Sequence, residues 1–331
     1  MNILIYGFGA VGTVLSACFK LSKEDNIYIY RRHKVEYPDH IPEIEIAAGI
    51  RQKVSLYINP VKFWNREKID IAFITLKAST LPDSLLYFKE NISKDTLVIS
   101  LMNGMGWEDY FKDYSIYYGL IMYNAYKEND EKVHLASKGE ILLDSRIEGM
   151  IKDKVCGLPF VFTDNISSYR YRKLWLNTLN GFLSLFNLSL YEIFNDKEKN
   201  KDGKILSLFG AFLKETEVLY ELLSIKTDRF KSLDPQDLIE LIDKIDKKLE
   251  LDDRQKNMLV NFTRGKNSTL QSIEQKENTE YKYIGGYLTK LADKVECNYQ
   301  LNRFVTDEIA YYDKTFSLRK IDDKTLNQFL K

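Results

Sequence analysis

Residues 2–12 of the chain, NILIYGFGAVG, decide the fold class. The first five residues form an apolar run that predicts a buried β-strand. The pattern G-x-G-x-x-G follows in Gly7-Phe8-Gly9-Ala10-Val11-Gly12, and an apolar-periodic helix is predicted over 10–21. In a strand–turn–helix, the first glycine permits the tight turn, the second lets the backbone approach a pyrophosphate, and the third lets the helix pack on the strand. We therefore predict a dinucleotide-binding turn formed by these six residues; the alternative is a glycine-rich turn that holds no ligand.

The remainder of the first half alternates between strand-like and helix-like segments. Apolar runs at 26–30, 69–75 and 96–101 predict strands, and residues 79–92 predict a helix between the last two. Largely apolar runs suit a parallel sheet that is buried on both faces, and strands that alternate with helices form βαβ units. The predicted fold class of this half is α/β, with a Rossmann-like doubly wound parallel sheet.

The second half, from about residue 167, is helical with almost no strand signal. Asp234-Pro235 marks one helix start, because aspartate caps free N–H groups and proline suits the first helical position. We place the domain boundary near residues 164–168. The prediction is a dinucleotide-binding Rossmann domain over 1–166 and an all-α C-terminal domain over 167–331, which agrees with the two domains that a length of 331 residues suggests.

Composition and charge argue against several function classes. The 48 Lys and Arg residues balance the 48 Asp and Glu residues, and a chain without a basic surplus is not expected to bind nucleic acid. The three cysteines show no C-x-x-C spacing and the three histidines no H-x-x-H spacing, so no metal site is predicted. The longest uncharged run, 174–191, contains six Asn, Ser and Thr residues and is too polar for a membrane span. We expect a cytoplasmic protein without a membrane partner.

The residues after the second predicted strand indicate the cofactor. NAD enzymes place an acidic residue about 20 residues beyond the glycine turn, where it binds the ribose 2′-hydroxyl. This chain has Arg31 and Arg32 at that place. A guanidinium binds a 2′-phosphate through charge-assisted, often bidentate hydrogen bonds. NADPH/NADP is therefore predicted over NADH, with Arg31 as first choice and Arg32 as second; the alternative is that both are solvated loop cations.

Further segments carry polar residues at places where a ligand is expected. Thr75-Leu76-Lys77-Ala78 and Met102-Asn103-Gly104-Met105-Gly106 end two predicted strands, where open α/β sheets bind ligands. Arg172-Lys173-Leu174-Trp175-Leu176-Asn177 opens the uncharged helix, and Ser268-Thr269-Leu270-Gln271 precedes Thr279-Glu280. Together with the glycine pattern, these segments resemble the ketopantoate reductase (2-dehydropantoate 2-reductase) family, in the same order and over nearly the whole chain.

The resemblance implies a Rossmann domain, a helical domain and an active site in the cleft between them. Family members reduce a branched 2-keto acid with NADPH, which here implies the conversion of ketopantoate to pantoate for coenzyme A synthesis. The roles implied by position in the motifs are general acid for Lys173, essential carboxylate for Glu280, ligand of the substrate carboxylate for Ser268, contact between nicotinamide and substrate for Asn103, substrate binding for Asn177, and cofactor-side lysine for Lys77. The expected partners are a small 2-keto acid and, as an option, a second copy of the chain in a homodimer.

A lysine suits the reaction that the resemblance implies. Hydride addition to a keto carbon builds negative charge on the oxygen, which must be stabilised and then protonated. No histidine lies near a recognised segment, and an ammonium with an ordinary pKa of about 10.4 stays protonated at neutral pH. Lys173 can therefore supply both the positive charge that stabilises the oxygen and the proton that it receives, while Glu280 holds the ammonium in place. Without the other residue, each would have a simpler interpretation. Lys173 would be a solvated cation at a helix start, and Glu280 would be a surface carboxylate.

Helix geometry groups further polar residues with Lys173. At about 100° per residue, Asn177, Asn180 and Ser184 lie within roughly 40° of Lys173 on one face of the helix. Buried polar groups need partners, and a polar ligand would supply them, which makes Asn180 a further candidate for substrate binding. The alternative is a ladder of hydrogen bonds to a neighbouring helix.

Two glycines depart from the family pattern. Gly181 and Gly285 stand where family members have asparagine, which predicts a site that is wider or differently polar.

Three functions therefore stay open. They are a ketopantoate reductase, a related NADPH-dependent reductase of another 2-keto acid or imine, and a non-enzymatic NADP(H)-responsive protein with partner surfaces at the charged segments 195–204 and 234–253.

Overall fold

The computed structural model describes residues 1–31, 40–41, 45–48, 61–129, 132–135, 137, 139–230 and 233–329. The chain divides into two compact units. The first unit comprises Met1–Asn103 and Trp107–Ser167, and the second comprises Gly104–Gly106 and Ser168–Lys331. Three residues from the first half of the sequence therefore belong to the second unit.

The strands of the described residues all lie in the first unit. They are β1 (Asn2–Tyr6), β2 (Asn26–Tyr30), β3 (His40–Ile41), β4 (Glu45–Ala48), β5 (Val61–Phe63), β6 (Ile71–Ile74), β7 (Leu97–Ser100), β8 (Ile116–Ile121), β9 (Ala125–Lys127), β10 (Lys132–Leu135), β11 (Ile141–Asp144) and β12 (Phe160–Thr163). The helices between them are α1 (Ala10–Ala17), α2 (Leu81–Asn91) and α3 (Glu148–Ile151).

Nine of these strands form one sheet in the order β12-β11-β8-β7-β6-β1-β2-β5-β3. The six strands from β8 to β5 are parallel to their neighbours in this row. When these six strands are numbered by their order in the chain, their order across the sheet from β5 to β8 is 3-2-1-4-5-6. This is the doubly wound arrangement. β3 and β11 pair antiparallel at the two sides of this core, and β4, β10 and β9 form a separate small sheet. The predicted Rossmann-like parallel sheet is confirmed, with these antiparallel additions.

The central strands are buried on both faces. All four residues of β6 are buried, as are residues 3–6 of β1. A strand covered on both faces has no solvent side and therefore needs no polar residue at every second position. This explains the continuous apolar runs from which these strands were predicted.

The first helix is shorter than its apolar period predicts, because α1 ends at Ala17. Phe19 forms an isolated antiparallel bridge with Val155. Its ring is 1% exposed and packs on Phe73 and Phe160, with ring centroids 5.4 and 5.9 Å away. Burial of this large side chain against distant residues outweighs continuation of the helix.

The second unit is helical, as predicted. The helices are α4 (Ile166–Leu185), α5 (Leu190–Asn195), α6 (Lys204–Leu222), α7 (Pro235–Asp246), α8 (Asp253–Asn261), α9 (Ser268–Glu274), α10 (Gly285–Lys294), α11 (Gln300–Thr315) and α12 (Asp323–Asn327). The predicted opening of the uncharged helix at Arg172 is wrong, since α4 begins six residues earlier at Ile166. Among the described residues, no helix combines the length and the apolar character that crossing a bilayer requires.

α7 begins where the sequence predicts. The Asp234 side chain accepts a hydrogen bond from the backbone N of Gln236 at 3.0 Å, and Pro235 takes the first helical position. Asp234 also accepts from Arg172 on α4 through both carboxylate oxygens, with Nε at 2.8 Å from Oδ2. Arg172 and Asp234 are 1% and 0% exposed, so this fully bonded ion pair joins α4 to α7 in the interior.

Candidate active site residues

Two of the three glycines in residues 7–12 are required by packing. Gly7 has a φ of 116°, and a Cβ there would lie 2.7 Å from the backbone N of Leu76. A Cβ on Gly12 would lie 2.3 Å from the carbonyl oxygen of Gly7 and 3.0 Å from Thr75 Oγ1. Thr75 closes the turn by donating from Oγ1 to the carbonyl oxygen of Gly7. Only a hydrogen fits at either glycine, so the turn can lie directly against the end of β6.

The middle glycine is different, because it faces open space. Gly9 is exposed, and a Cβ built on it meets no atom within 4 Å. Gly9 is the N-cap of α1, and no side chain of the described residues caps this helix start. The N–H groups of a helix start attract anions, and β1 lies where the strand order reverses, which is where doubly wound sheets bind dinucleotides. These features fit a pyrophosphate. Phe8, between Gly7 and Gly9, is buried in the hydrophobic core of the first unit.

The other cofactor candidates follow neighbouring strands of the sheet. Arg31 directly follows β2 and is partly buried, whereas Arg32 lies outside the described residues. Lys77 is exposed, three residues beyond β6, and Asn103 is partly buried, three residues beyond β7. Because β2, β1, β6 and β7 are adjacent and parallel, the structure brings these candidates to one edge of the sheet in the first unit.

The segment after Asn103 needs its glycines for backbone geometry. Gly104 and Gly106 have φ values of 79° and 87°. A Cβ on Gly104 would lie 2.4 Å from the carbonyl oxygen of Tyr283, and the backbone N of Met105 donates to the same oxygen at 2.7 Å. The N-G-x-G pattern therefore reflects close backbone packing in the second unit.

Lys173 and Glu280 interact within the second unit. Lys173 is partly exposed and lies inside α4, seven residues after its first residue, Ile166. The alternative interpretation, a solvated cation at the start of a helix, therefore does not hold for its position. Burial lowers the pKa of Lys173 to about 8, and the negative charge of Glu280 partly offsets this effect. Glu280 is also partly exposed and immediately precedes the 3₁₀ turn Tyr281–Tyr283. An ammonium with a lowered pKa beside a carboxylate is an arrangement that can hold and deliver a proton.

The far end of the polar stripe on α4 bonds to the start of α9. Asn180 Nδ2 donates to Ser268 Oγ at 3.3 Å, and Ser184 Oγ donates to Asn267 Oδ1 at 3.0 Å. Asn267 is the N-cap of α9, accepting from the backbone N of Leu270. Asn180 and Ser184 therefore form hydrogen bonds to a neighbouring helix, as the alternative interpretation of the polar stripe expects. Ser268 is exposed and Asn177 partly buried.

Sequence reasoning missed Asn267 and Tyr281. Asparagine is a preferred N-cap residue, so Asn267, directly before α9, carries a local signal that could have identified it. Tyr281 has no such signal, because its importance comes from packing. A Cβ on Gly181 would lie 2.2 Å from Tyr281 Cε2, and one on Gly285 would lie 2.3 Å from Tyr281 Cε1. The two glycines do not open the site as expected; the ring of Tyr281 fills the space that they leave.

Within the described part of the chain, no group of three His, Cys, Asp or Glu side chains is arranged to hold a metal ion.

Comparison with known proteins assigns the chain to a family. The sequence profile of ketopantoate reductase PanE/ApbA matches residues 3–146, and the profile of its C-terminal domain matches residues 165–313. The 2-dehydropantoate 2-reductase of Streptococcus pyogenes serotype M1 is 25% identical over 219 residues, which are 60% of this chain and 68% of that protein. The enzyme of the same name from Lactococcus lactis subsp. lactis is 29% identical over 211 residues, which are 57% of this chain and 66% of that protein.

Solved structures share the fold. A PanE/ApbA family ketopantoate reductase from Ralstonia eutropha JMP134 superposes with a TM-score of 0.72 at 15% identity, covering 96% of this chain and 99% of that one. A D-mandelate dehydrogenase with NADH and anilino(oxo)acetate gives 0.68 at 20% identity, covering 96% and 100%. A dimeric ketopantoate reductase from Staphylococcus aureus gives 0.70 at 14% identity, covering 96% and 100%. With both family profiles matched across most of its length, the chain belongs to the ketopantoate reductase family and is an oxidoreductase of the class that acts on 2-keto and 2-hydroxy acids.

Proposed function

We propose that this chain reduces 2-dehydropantoate (ketopantoate) to pantoate with NADPH, a step in the biosynthesis of pantothenate and coenzyme A. The observation that carries the proposal is the Lys173–Glu280 pair. It places an ammonium whose pKa burial lowers to about 8 beside a carboxylate, at the two positions that the family motifs give to the general acid and the essential carboxylate.

The first unit supplies groups suited to NADPH. A bound nicotinamide cofactor supplies the hydride. The backbone N–H groups at Gly9 and the start of α1 would hold its pyrophosphate, since the helix start is electropositive and a Cβ would meet no atom there. Arg31, at the end of β2, would bind the 2′-phosphate. Lys77, beyond β6, would contact the cofactor, and Asn103, beyond β7, would lie between its nicotinamide and the substrate.

The second unit supplies the proton. When negative charge develops on the keto oxygen, the Lys173 ammonium stabilises it and then donates a proton from Nζ. A pKa near 8 suits this task, because the group is mostly protonated at neutral pH and releases its proton more readily than an ordinary lysine. Glu280 holds the ammonium in place. Ser268 would bind the substrate carboxylate by donating a hydrogen bond, and Asn177 would also bind the substrate. Asn180, which donates to Ser268, would orient that hydroxyl.

The experiment is NADPH oxidation by the purified protein across a panel of 2-keto acids, with pantoate identified as the product for ketopantoate. Lys173→Met should lose most of kcat, whereas Lys290→Met, which changes an exposed lysine on α10, should not. Normal turnover in Lys173→Met would refute the assignment of the acid. Cofactor binding without turnover on any 2-keto acid would contradict the proposed reaction and favour the NADP(H)-responsive alternative.

A second candidate is a related reductase that acts on another 2-keto acid. The ring of Tyr281 fills the space at Gly181 and Gly285, where family members have amide side chains. A site with fewer amides suits a keto acid with a less polar side chain. The D-mandelate dehydrogenase with the same fold, which was solved with NADH and anilino(oxo)acetate, supports this option. In the same panel, inert ketopantoate together with rapid turnover of an aromatic or aliphatic 2-keto acid would decide for this candidate.

The assembly proposed is a homodimer, by analogy with the dimeric ketopantoate reductase from Staphylococcus aureus. Sedimentation equilibrium tests it directly: a mass near twice 38.8 kDa is expected, and a monomer mass at micromolar concentration would contradict it.

A further inference from the structure

The turn that carries Glu280 is fastened at both ends. On one side, Thr279 donates to the Asp313 carboxylate on α11 from its backbone N at 2.7 Å and from Oγ1 at 2.8 Å. On the other side, the Tyr281 hydroxyl donates to the carbonyl oxygen of Thr178 on α4 at 3.2 Å. The backbone N of Tyr281 donates to Thr279 Oγ1 at 3.2 Å and so joins the two anchors. Glu280 lies between them, so its backbone is held relative to α4 and α11.

The side chain of Tyr281 is held rigidly. It is 1% exposed, and its ring edges rest on the bare backbone of α4 at Gly181 and of α10 at Gly285. Any side chain at either glycine would displace the ring. The ring cannot swing out without losing this packing and the hydrogen bond to Thr178, because a buried hydroxyl needs a partner.

The anchor on α4 connects Glu280 to Lys173. Thr178 and Lys173 belong to the same helix, so fastening Tyr281 to that helix also fixes Glu280 relative to the ammonium. The negative charge of Glu280 opposes the lowering of the Lys173 pKa by burial. The adjacent cation, Arg172, directs its guanidinium to Asp234 at the start of α7.

We propose that Tyr281 is a positioning residue for the Lys173–Glu280 pair. Its ring between the two glycines and its hydrogen bond to Thr178 set the distance of the carboxylate from the ammonium, and thereby the acid strength of Lys173. The consequence for catalysis rests on the proposed function of Lys173. The effect of Tyr281 on the ammonium does not depend on which keto acid is reduced.

Tyr281→Phe is the decisive variant, because it keeps the ring and removes only the bond to Thr178. Without that bond the carboxylate of Glu280 is free to move away from the ammonium. The pKa of Lys173 is then expected to fall, and the high-pH limb of the kcat profile to move to lower pH. Glu280→Gln removes the opposite charge completely and should therefore give the largest fall in the pKa of Lys173, by about one unit or more. Tyr281→Phe should give a part of that shift.

Tyr220→Phe is the matched control. The Tyr220 hydroxyl is also buried and donates to an α4 carbonyl oxygen, that of Tyr171, at 2.8 Å. Its loss should lower stability to a similar degree and leave the pKa of Lys173 unchanged. A role of Tyr281 in stability alone would make the two variants behave alike.

The pKa of Lys173 is measured by trace acetylation with acetic anhydride at a series of pH values, followed by mass spectrometry of the peptide that contains it. Lys173 is partly exposed, and the measurement works even where no keto acid is turned over. A lower pKa in Tyr281→Phe with an unchanged pKa in Tyr220→Phe would support the proposal. An unchanged pKa in Tyr281→Phe, or an equal fall in both variants, would overturn it. If Tyr281→Phe does not fold, Thr279→Val loosens the other anchor and carries the same expectation.

Discussion

Lys173→Met is expected to stabilise the folded chain at neutral pH while it removes the proposed general acid. Burial disfavours the charged form of Lys173 in the fold. The difference between the ordinary pKa of 10.5 and the value of about 8 corresponds to about 3 kcal/mol. This figure is an upper limit, because Lys173 is partly exposed and the substitution leaves Glu280 without the ammonium. We expect a net gain of about 1 to 2 kcal/mol in the free energy of unfolding.

The pH dependence of this gain has a definite sign. The pKa of Lys173 is lower in the folded chain than in the unfolded chain, so between pH values of about 8 and 10.5 the unfolded chain binds more protons. Wild-type stability therefore receives a contribution from Lys173 that rises with pH across this window. Met lacks that contribution, and the advantage of Lys173→Met over the wild type should shrink as the pH rises from 8 to 10.5.

Urea unfolding at neutral and alkaline pH measures the effect, with far-ultraviolet circular dichroism as the signal because most of the helix lies in the second unit. Comparing variant with wild type at each pH cancels the titration of all other groups. Lys290→Met, at an exposed position on α10, should show no such trend. A stability difference for Lys173→Met that stays constant from neutral to alkaline pH would refute the reasoning.

Three further substitutions test other parts of the structure. Arg31→Ala should weaken NADPH about tenfold or more and NADH much less, measured by fluorescence titration of both cofactors; an equal loss for the two would remove the 2′-phosphate role. Gly181→Ala should cost about 1 to 3 kcal/mol, because its Cβ meets the ring of Tyr281 at 2.2 Å. Adding Tyr281→Leu should recover part of that loss in thermal unfolding. Asp234→Ala should cost about 3 to 5 kcal/mol, because the buried Arg172 loses its carboxylate, and Arg172→Met in the same chain should restore much of the urea midpoint.

The parts of the fold that were predictable are those that local sequence determines. β1, the glycine turn and β2 follow one another within 30 residues, and the strand bounds Asn2–Tyr6 and Asn26–Tyr30 agree with the apolar runs. The Asp234-Pro235 helix start is equally local. The end of α1 was not predictable, because Phe19 leaves the helix to meet Val155, a residue far along the chain.

The candidate site shows the same division. Helical spacing groups Lys173 with Asn180, but spacing alone does not tell a ligand-binding stripe from a hydrogen-bond ladder. The structure shows a hydrogen bond from Asn180 to Ser268, and substrate binding by Asn180 stays a prediction. The pairing of Lys173 with Glu280 spans more than 100 residues and came from family resemblance. Tyr281 was missed because a ring packed on two glycines leaves no periodic pattern in the sequence.

Arg172 and Lys173 show why neighbouring cations in one motif have different tasks. They are adjacent on α4, so their side chains leave the helix about 100° apart. Arg172 points to a fully buried aspartate that accepts hydrogen bonds from two of its nitrogens. Lys173 keeps partial contact with solvent and has a lowered pKa beside Glu280. A cation that stabilises the interior must be completely satisfied, whereas a proton donor must be held loosely enough to be reached and to change charge. The two environments on one helix meet these opposite demands, which supports the proposal that Lys173 rather than Arg172 donates the proton.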